Sequence, residues 1–173
     1  TAPEQDVSAW MLHAEAGRTL GGPAGLRIAA LFDAASGDRA GGDYTRFDPL
    51  FGARSSTFGP TANFGPLSYS NILSPGLRLA AKPSKRLDGS LSVRLAWLQR
   101  ESDSFAKTGV VDPLGNAGRF AGTQYEASLG YWIVPKSIRF GLGAAYLSKG
   151  RFLEQAANAP ATGDTRYILS DVT

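Results

Sequence analysis

Hydrophobic and polar positions alternate along two neighbouring stretches in the middle of the chain. Over residues 77–82, leucine and alanine alternate with positions that include Arg78 and Lys82. Over residues 90–97, leucine, valine and tryptophan alternate with serine, arginine and alanine. Successive side chains of a β-strand point to opposite sides, so each stretch predicts a strand with one apolar face and one polar face. The segment 83–88 between them is polar and predicts a hairpin turn.

The same alternation predicts strands elsewhere in the chain, at residues 7–17, 26–34, 123–133, 138–147 and 166–173. Short connections alternate with long ones that are rich in Gly, Pro, Asp and Ser. The long connections cover about residues 35–69, 101–122 and 148–165. Outer-membrane barrels have short turns at one end and long loops at the other, and their tilted strands need about ten residues. The pattern predicts an all-β, antiparallel transmembrane β-barrel of the outer-membrane type, with about seven strands visible in a single domain over residues 1–173.

Aromatic side chains fall at two levels of the predicted apolar faces. Tyr131 and Phe140 lie near the short turns. Near the long loops lie Trp10, Phe32, Trp97, Tyr125 and Tyr146. Two aromatic levels separated by aliphatic residues are typical of the girdles that mark the two membrane interfaces. The alternative is a soluble β-sandwich in which aromatic residues merely end the strands.

The composition narrows the class of protein further. Charged residues make up 19% of the chain, the net charge is +3, and there is no cysteine, which excludes disulfides and thiolate metal sites. No apolar run approaches the roughly 18 residues of a membrane-spanning helix. If the chain lies in a membrane, we therefore expect it to cross as a barrel, because only helices and closed barrels satisfy the backbone in lipid.

No pattern in the sequence indicates an enzyme or a cofactor. His13 is the only histidine, and no nucleophile motif, phosphate-binding loop or dinucleotide fingerprint is present. Asp38, Asp43 and Asp48 share a Gly-rich stretch, but their spacing is not that of a calcium loop. Basic residues are not interleaved with aromatic residues on one face, so we expect no nucleic-acid partner.

Several segments follow one another in an order that resembles a known family. They are 46–52 (RFDPLFG), 59–61 (GPT), 70–72 (SNI), 74–79 (SPGLRL), 149–153 (KGRFL) and 163–167 (GDTRY). This set is similar to the alginate export family of outer-membrane porins and covers most of the chain. The resemblance implies the C-terminal part of a large single-chain barrel, which passes an alginate-like anionic polysaccharide or small anions through an arginine-rich pore in contact with outer-membrane lipid. Because bacterial barrels use an even number of strands, we expect the chain to be a fragment. The alternative is a small eight-strand structural or adhesive barrel without an open pore, with one strand hidden between residues 35 and 69.

The predicted polar faces supply candidates for the substrate pathway. Rings of arginine and lysine select anions, and the guanidinium group binds sugar carboxylates through two parallel hydrogen bonds. The candidate pathway residues are Arg78, Arg94, Arg100, Arg139 and Glu126. The alternative is that these residues belong to an ordinary solvated polar face without selectivity for anions.

Matching polar positions across the short turns predicts which side chains oppose each other. We expect Arg78 to lie opposite Arg94, with Glu126 at a similar depth as a counter-charge, and Glu15 to lie opposite Arg27. The apolar content of the loop between Arg46 and Phe58 also predicts that this loop is ordered and packs over or into the barrel mouth.

Overall fold

The computed structural model describes residues 6–39, 41, 43–49, 58 and 67–173, which contain seven strands and one short helix. The strands are β1 (Met11–Thr19), β2 (Arg27–Ala35), β3 (Ile72–Ala81), β4 (Leu87–Trp97), β5 (Phe120–Val134), β6 (Ile138–Lys149) and β7 (Thr165–Val172), and helix α1 (Arg151–Gln155) lies between β6 and β7. In this part of the chain, no helix is long and apolar enough to cross a membrane.

All seven strands form one antiparallel sheet in which sequence order and spatial order are the same. The all-β prediction is therefore confirmed. The sheet is open, with β1 and β7 as its edges, as expected of part of a barrel wall. The pairing of β2 with β3 is direct over the whole length of β2, so no strand lies between them in the sheet. Residues 50–57 and 59–66, where the eight-strand alternative would place its hidden strand, lie outside the described residues.

Burial in this sheet is the reverse of burial in a soluble sheet. In β2, the apolar side chains of Ile28 and Phe32 are 43% and 39% exposed, whereas Asp33 on the opposite face is fully buried. In β5, Leu129 is exposed, and Glu126 is buried. A soluble sheet packs its apolar face inward, whereas a membrane barrel turns that face toward lipid. The distribution thus favours a barrel wall over a soluble sandwich.

Aromatic pairs occupy both ends of the exposed apolar face. Tyr131 pairs with Phe140 near the short turns. Toward the long loops, the rings of Tyr125 and Tyr146 stack with their centroids 6.3 Å apart, and those of Trp97 and Phe120 lie 5.3 Å apart. This arrangement is typical of interfacial girdles.

The structure corrects the predicted register of the β3–β4 hairpin. Arg78 lies opposite Ser92, and Arg94 lies opposite Gly76, so the prediction that the two arginines oppose each other is wrong. The Oγ atom of Ser84 accepts hydrogen bonds from the backbone N–H groups of Arg86 and Leu87, at 3.2 and 3.1 Å. These bonds close the turn one residue earlier than the alternation alone suggests, which shifts every pair by two positions.

The register of the β1–β2 hairpin also differs from the predicted one, because its turn closes at a different position. Glu15 lies opposite Leu31 instead of Arg27, because β1 continues to Thr19 and the turn closes with a 2.7 Å bond from the Leu20 N–H to the Leu26 carbonyl. The carboxylate of Glu15 nevertheless contacts the guanidinium of Arg27 at 2.8 Å. The predicted interaction therefore survives as a diagonal contact.

An apolar core lies on the polar side of the sheet, at the end of the long loops. Its larger side chains are Phe58, Leu67, Ile72, Leu98, Phe105, Leu147, Phe152 and Leu153. Phe47 packs against this core, and Phe58 is only 2% exposed. These two residues of the predicted loop are packed as expected, while Leu50 and Phe51 lie outside the described residues.

Candidate functional site

The polar face of the sheet divides into two halves with different surroundings. We call the half under the loop core the covered half; it contains Asp33, Ser74, Arg94 and Gln124, all buried. We call the half near the short turns the open half. It borders a cavity of about 550 Å³, whose lining includes Arg27, Arg78, Asp88, Ser90, Ser92 and Glu126.

Asp33 is the centre of the covered half. Its Oδ1 atom accepts a hydrogen bond from the Tyr69 hydroxyl at 2.6 Å and contacts His13 Nδ1 at 2.6 Å. Its Oδ2 atom accepts a hydrogen bond from Arg94 Nη1. The side chains of Asp33 and Arg94 are both fully buried, and the Arg94 guanidinium lies over the Phe58 ring, 5.2 Å from its centroid. Such a buried charge requires a partner, and Asp33 supplies it.

The charges of the open half are partly exposed. Glu15 contacts two arginines, Arg27 at 2.8 Å and Arg78 at 3.4 Å. Arg139 lies nearer the short turns and contacts Asp88 at 2.7 Å. Two arginines thus share the Glu15 carboxylate, and Asp88 and Glu126 place further negative charge beside the same cavity.

Hydroxyl groups and Glu126 continue the polar surface across β4 and β5. Glu126 accepts hydrogen bonds from the Ser92 hydroxyl at 2.9 Å and from Gln124 Nε2 at 2.6 Å. The hydroxyls of Ser90 and Ser128 lie 2.8 Å apart. We call the hydroxyl groups of Ser90, Ser92 and Ser128 the hydroxyl strip; they can donate hydrogen bonds to a hydroxylated ligand or to water, and accept hydrogen bonds from them.

The predicted pathway residues do not form one ring. Arg78 and Glu126 line the cavity, and Arg139 lies close to it. Arg94 is buried beneath the loops, and Arg100 lies in the segment that follows β4, where its N–H donates to Asn71 Oδ1 at 2.6 Å. Their common role in a pathway stays a prediction.

The loops over the covered half are joined by polar contacts that the sequence pattern did not predict. Arg46 donates to the Ser70 hydroxyl at 2.6 Å, to Asp103 Oδ1 at 2.9 Å, and to the carbonyls of Ser104 and Ala106 at 2.9 and 2.6 Å. Arg46 thereby connects the β2–β3 loop to the β4–β5 loop. The only available sequence signal was an arginine inside an apolar loop segment.

Asp33 was also missed, although one signal was available. It is the acidic residue on the polar face of β2, the side on which Arg94 was predicted to lie. Predicting that Asp33 contacts Arg94 requires the register between β2 and β3, and a long loop separates these two strands in sequence. Two of the three loop aspartates have separate partners: Asp38 accepts a hydrogen bond from the Thr45 N–H at 3.0 Å, and Asp48 contacts Lys107 at 3.2 Å. Across the residues that the structure describes, no group of three or more acidic or histidine side chains could hold a metal ion.

The β6–β7 loop is attached to the sheet through Asp164. The Tyr146 hydroxyl and the Lys149 N–H donate hydrogen bonds to its carboxylate, the second at 2.9 Å. These bonds, the Tyr146 bond foremost, lower the pKa of Asp164 below the ordinary value for aspartate.

No curated protein matches the chain, whereas one protein-family model does. The model of the alginate export family, described as "Alginate export", matches residues 1–166 and thus nearly the whole chain. The chain belongs to the alginate export family, a family of outer-membrane transport proteins.

Proposed function

We propose that this chain forms part of the wall of an outer-membrane channel that passively passes an anionic polysaccharide, or small anions, along the polar face of the sheet. The observation that supports this most is the reversed burial. The apolar face is exposed, whereas the opposite face carries the charges, which are buried in the covered half and partly exposed beside a cavity of about 550 Å³ in the open half. A channel wall needs this combination, because lipid covers one face and water fills the space beside the other.

The residues of the open half suit an anionic, hydroxylated substrate. The guanidinium groups of Arg78 and Arg139 are partly exposed and suit the carboxylates of a uronate chain. The hydroxyl strip and Glu126 suit sugar hydroxyls. In a passage with low-dielectric walls, partly exposed guanidinium groups attract anions to the wall. Arg94 and Arg100 would meet a substrate only where the loops leave the covered half accessible.

The test is the reversal potential of the complete barrel in a planar bilayer under a salt gradient. We expect Arg78→Ser to lower the preference for anions over cations, because Glu15 is then balanced by Arg27 alone. Lys85→Ser is the matched control, since it removes one positive charge from the exposed tip of the β3–β4 turn. An unchanged anion preference in Arg78→Ser would remove this arginine from the mechanism.

A second candidate is a closed barrel with a structural or adhesive role. The apolar loop core that covers half of the polar face favours it. A complete wild-type barrel that inserts into the bilayer but does not conduct would support this candidate over the channel.

A further inference from the structure

Three ion pairs on the polar face share an unusual geometry. In each, an arginine reaches across the neighbouring strand to a carboxylate on the strand beyond it. Arg78 on β3 reaches Glu15 on β1, Arg94 on β4 reaches Asp33 on β2, and Arg139 on β6 reaches Asp88 on β4. A side chain that follows this route lies along the wall instead of projecting away from it.

Two of the three arginines pass over a glycine. A Cβ atom at Gly76 would lie 2.9 Å from Arg94 Cγ, and a Cβ atom at Gly130 would lie 2.5 Å from Arg139 Cζ and 2.8 Å from its Nε. Real Cβ atoms essentially never approach other heavy atoms below 3.0 Å. The arginines can therefore lie flat only because these positions have no side chain.

The glycine under Arg139 has a neighbour with the same role. Gly130 pairs with Gly141 on β6, and a Cβ atom at Gly141 would lie 2.9 Å from Cγ of Asp171. The charged groups of Asp88, Arg139 and Asp171 thus form a flat row across strands β4 to β7. The Trp132 ring, 6.0 Å from the Arg139 guanidinium, borders this row.

We propose that Gly130 is a positioning residue for transport: because it has no side chain, the Arg139 guanidinium can lie flat against the wall and pair with Asp88. Gly130 thereby sets both the width of the passage near the short turns and the charge that a passing anion meets. The effect on transport rests on the proposed channel function, whereas the effect on Arg139 does not. A methyl group at position 130 displaces only the far end of a flexible side chain, so the strand itself is undisturbed. The displaced guanidinium would move into the passage and leave Asp88, which would narrow the passage and create a fixed positive site within it.

The first experiment measures the position of Arg139 without requiring conduction. The folded, complete barrel is treated with phenylglyoxal, which modifies accessible guanidinium groups, and the rate at Arg139 is followed by mass spectrometry. We expect modification to be several-fold faster in Gly130→Ala than in the wild type. Ser128→Ala, on the same face of the same strand, is the control and should leave the rate unchanged. Equal rates in Gly130→Ala and the wild type would overturn the proposal.

The second experiment is a double-mutant cycle read by single-channel conductance. We expect Gly130→Ala to lower the conductance of the complete barrel and to have no effect when Arg139 has been replaced by alanine. A similar loss in both backgrounds would mean that the methyl group acts through the backbone, which would overturn the proposal. If the wild type does not conduct, the channel function fails, and the modification rates alone decide whether Gly130 positions Arg139.

Discussion

Arg94 and Arg139 make the same kind of contact in opposite halves of the polar face. Each crosses a glycine-bearing strand to reach an aspartate, Asp33 in one case and Asp88 in the other. The surroundings differ completely. The Arg94–Asp33 pair is fully buried beneath the loop core, whereas the side chains of the Arg139–Asp88 pair are 35% and 39% exposed.

The same contact geometry therefore has two physical roles, which depend on how far water reaches the pair. An exposed pair is screened by water and contributes about 0–1 kcal/mol, so its charges remain available to solutes. A buried pair is different, because removal of one partner leaves an uncompensated charge at a cost of about 3–5 kcal/mol. We therefore interpret Arg94–Asp33 as a structural pair that joins the sheet to the loops, whereas Arg139–Asp88 is free to serve the proposed passage.

The largest expected effect comes from breaking the buried ion pair between Arg94 and Asp33. We predict that Asp33→Asn lowers the free energy of unfolding by about 3–5 kcal/mol, because it removes the buried carboxylate that contacts Arg94, Tyr69 and His13. Asp88→Asn, the matched change in the open half, should cost at most about 1 kcal/mol. Urea unfolding of the complete barrel in lipid vesicles measures both. Equal losses would show that the two halves do not differ in exposure as the structure indicates.

The next-largest expected effect distinguishes the apolar face of the sheet from its polar face. We predict that Leu129→Arg costs about 2–4 kcal/mol if this exposed apolar position lies near the bilayer midplane. Ser128→Arg, one residue away on the cavity side, should be mild because water solvates the new charge there. The measurement is the unfolding free energy in vesicles. Similar costs at the two positions would argue against a membrane on the apolar face.

A smaller effect tests how the covered half is closed. We predict that Arg46→Ala lowers the stability of the loop cover by roughly 1.5–3 kcal/mol, since hydrogen bonds to charged groups are worth about that much. Hydrogen exchange of the Phe105 amide, which bonds to the Val110 carbonyl at 3.0 Å, reports on it. Arg39→Ala, at an exposed position in the same β2–β3 loop, is the control. Unchanged Phe105 protection in Arg46→Ala would show that the apolar core alone keeps the cover in place.

The smallest effect concerns the β6–β7 loop and its pH dependence. Because the pKa of Asp164 is lowered in the folded state, its contribution is fully present above the unfolded pKa of about 3.9 and is lost as the pH falls through the folded value. We predict constant protection of the Lys149 amide from pH 7 to pH 5, after correction for intrinsic exchange, and a decrease only below about pH 4. Asp164→Asn should remove this decrease. A decrease that begins near neutral pH would assign the effect to another group.

The strands, their faces and the class of fold follow from the amino-acid sequence alone. Alternation is a local property, since each side chain's face follows from its position in its own strand. For this reason, the faces containing Leu129 and Ser128 could be predicted without knowing any neighbouring strand. The alternation of short and long connections likewise indicated an outer-membrane barrel.

Which polar side chains meet, and which of them reach water, depends on the tertiary structure. Register depends on turn chemistry such as the Ser84 hydroxyl bonds, and an error of one residue in the centre of a turn moves every pair by two positions. The partnership of Arg94 with Asp33 spans a long loop and an intervening strand, so no local pattern encodes it. The burial of that pair depends on loop side chains such as Phe58 that are distant in sequence. Two arginines that looked equivalent in the alternation, Arg94 and Arg139, therefore acquire different roles from what packs above them.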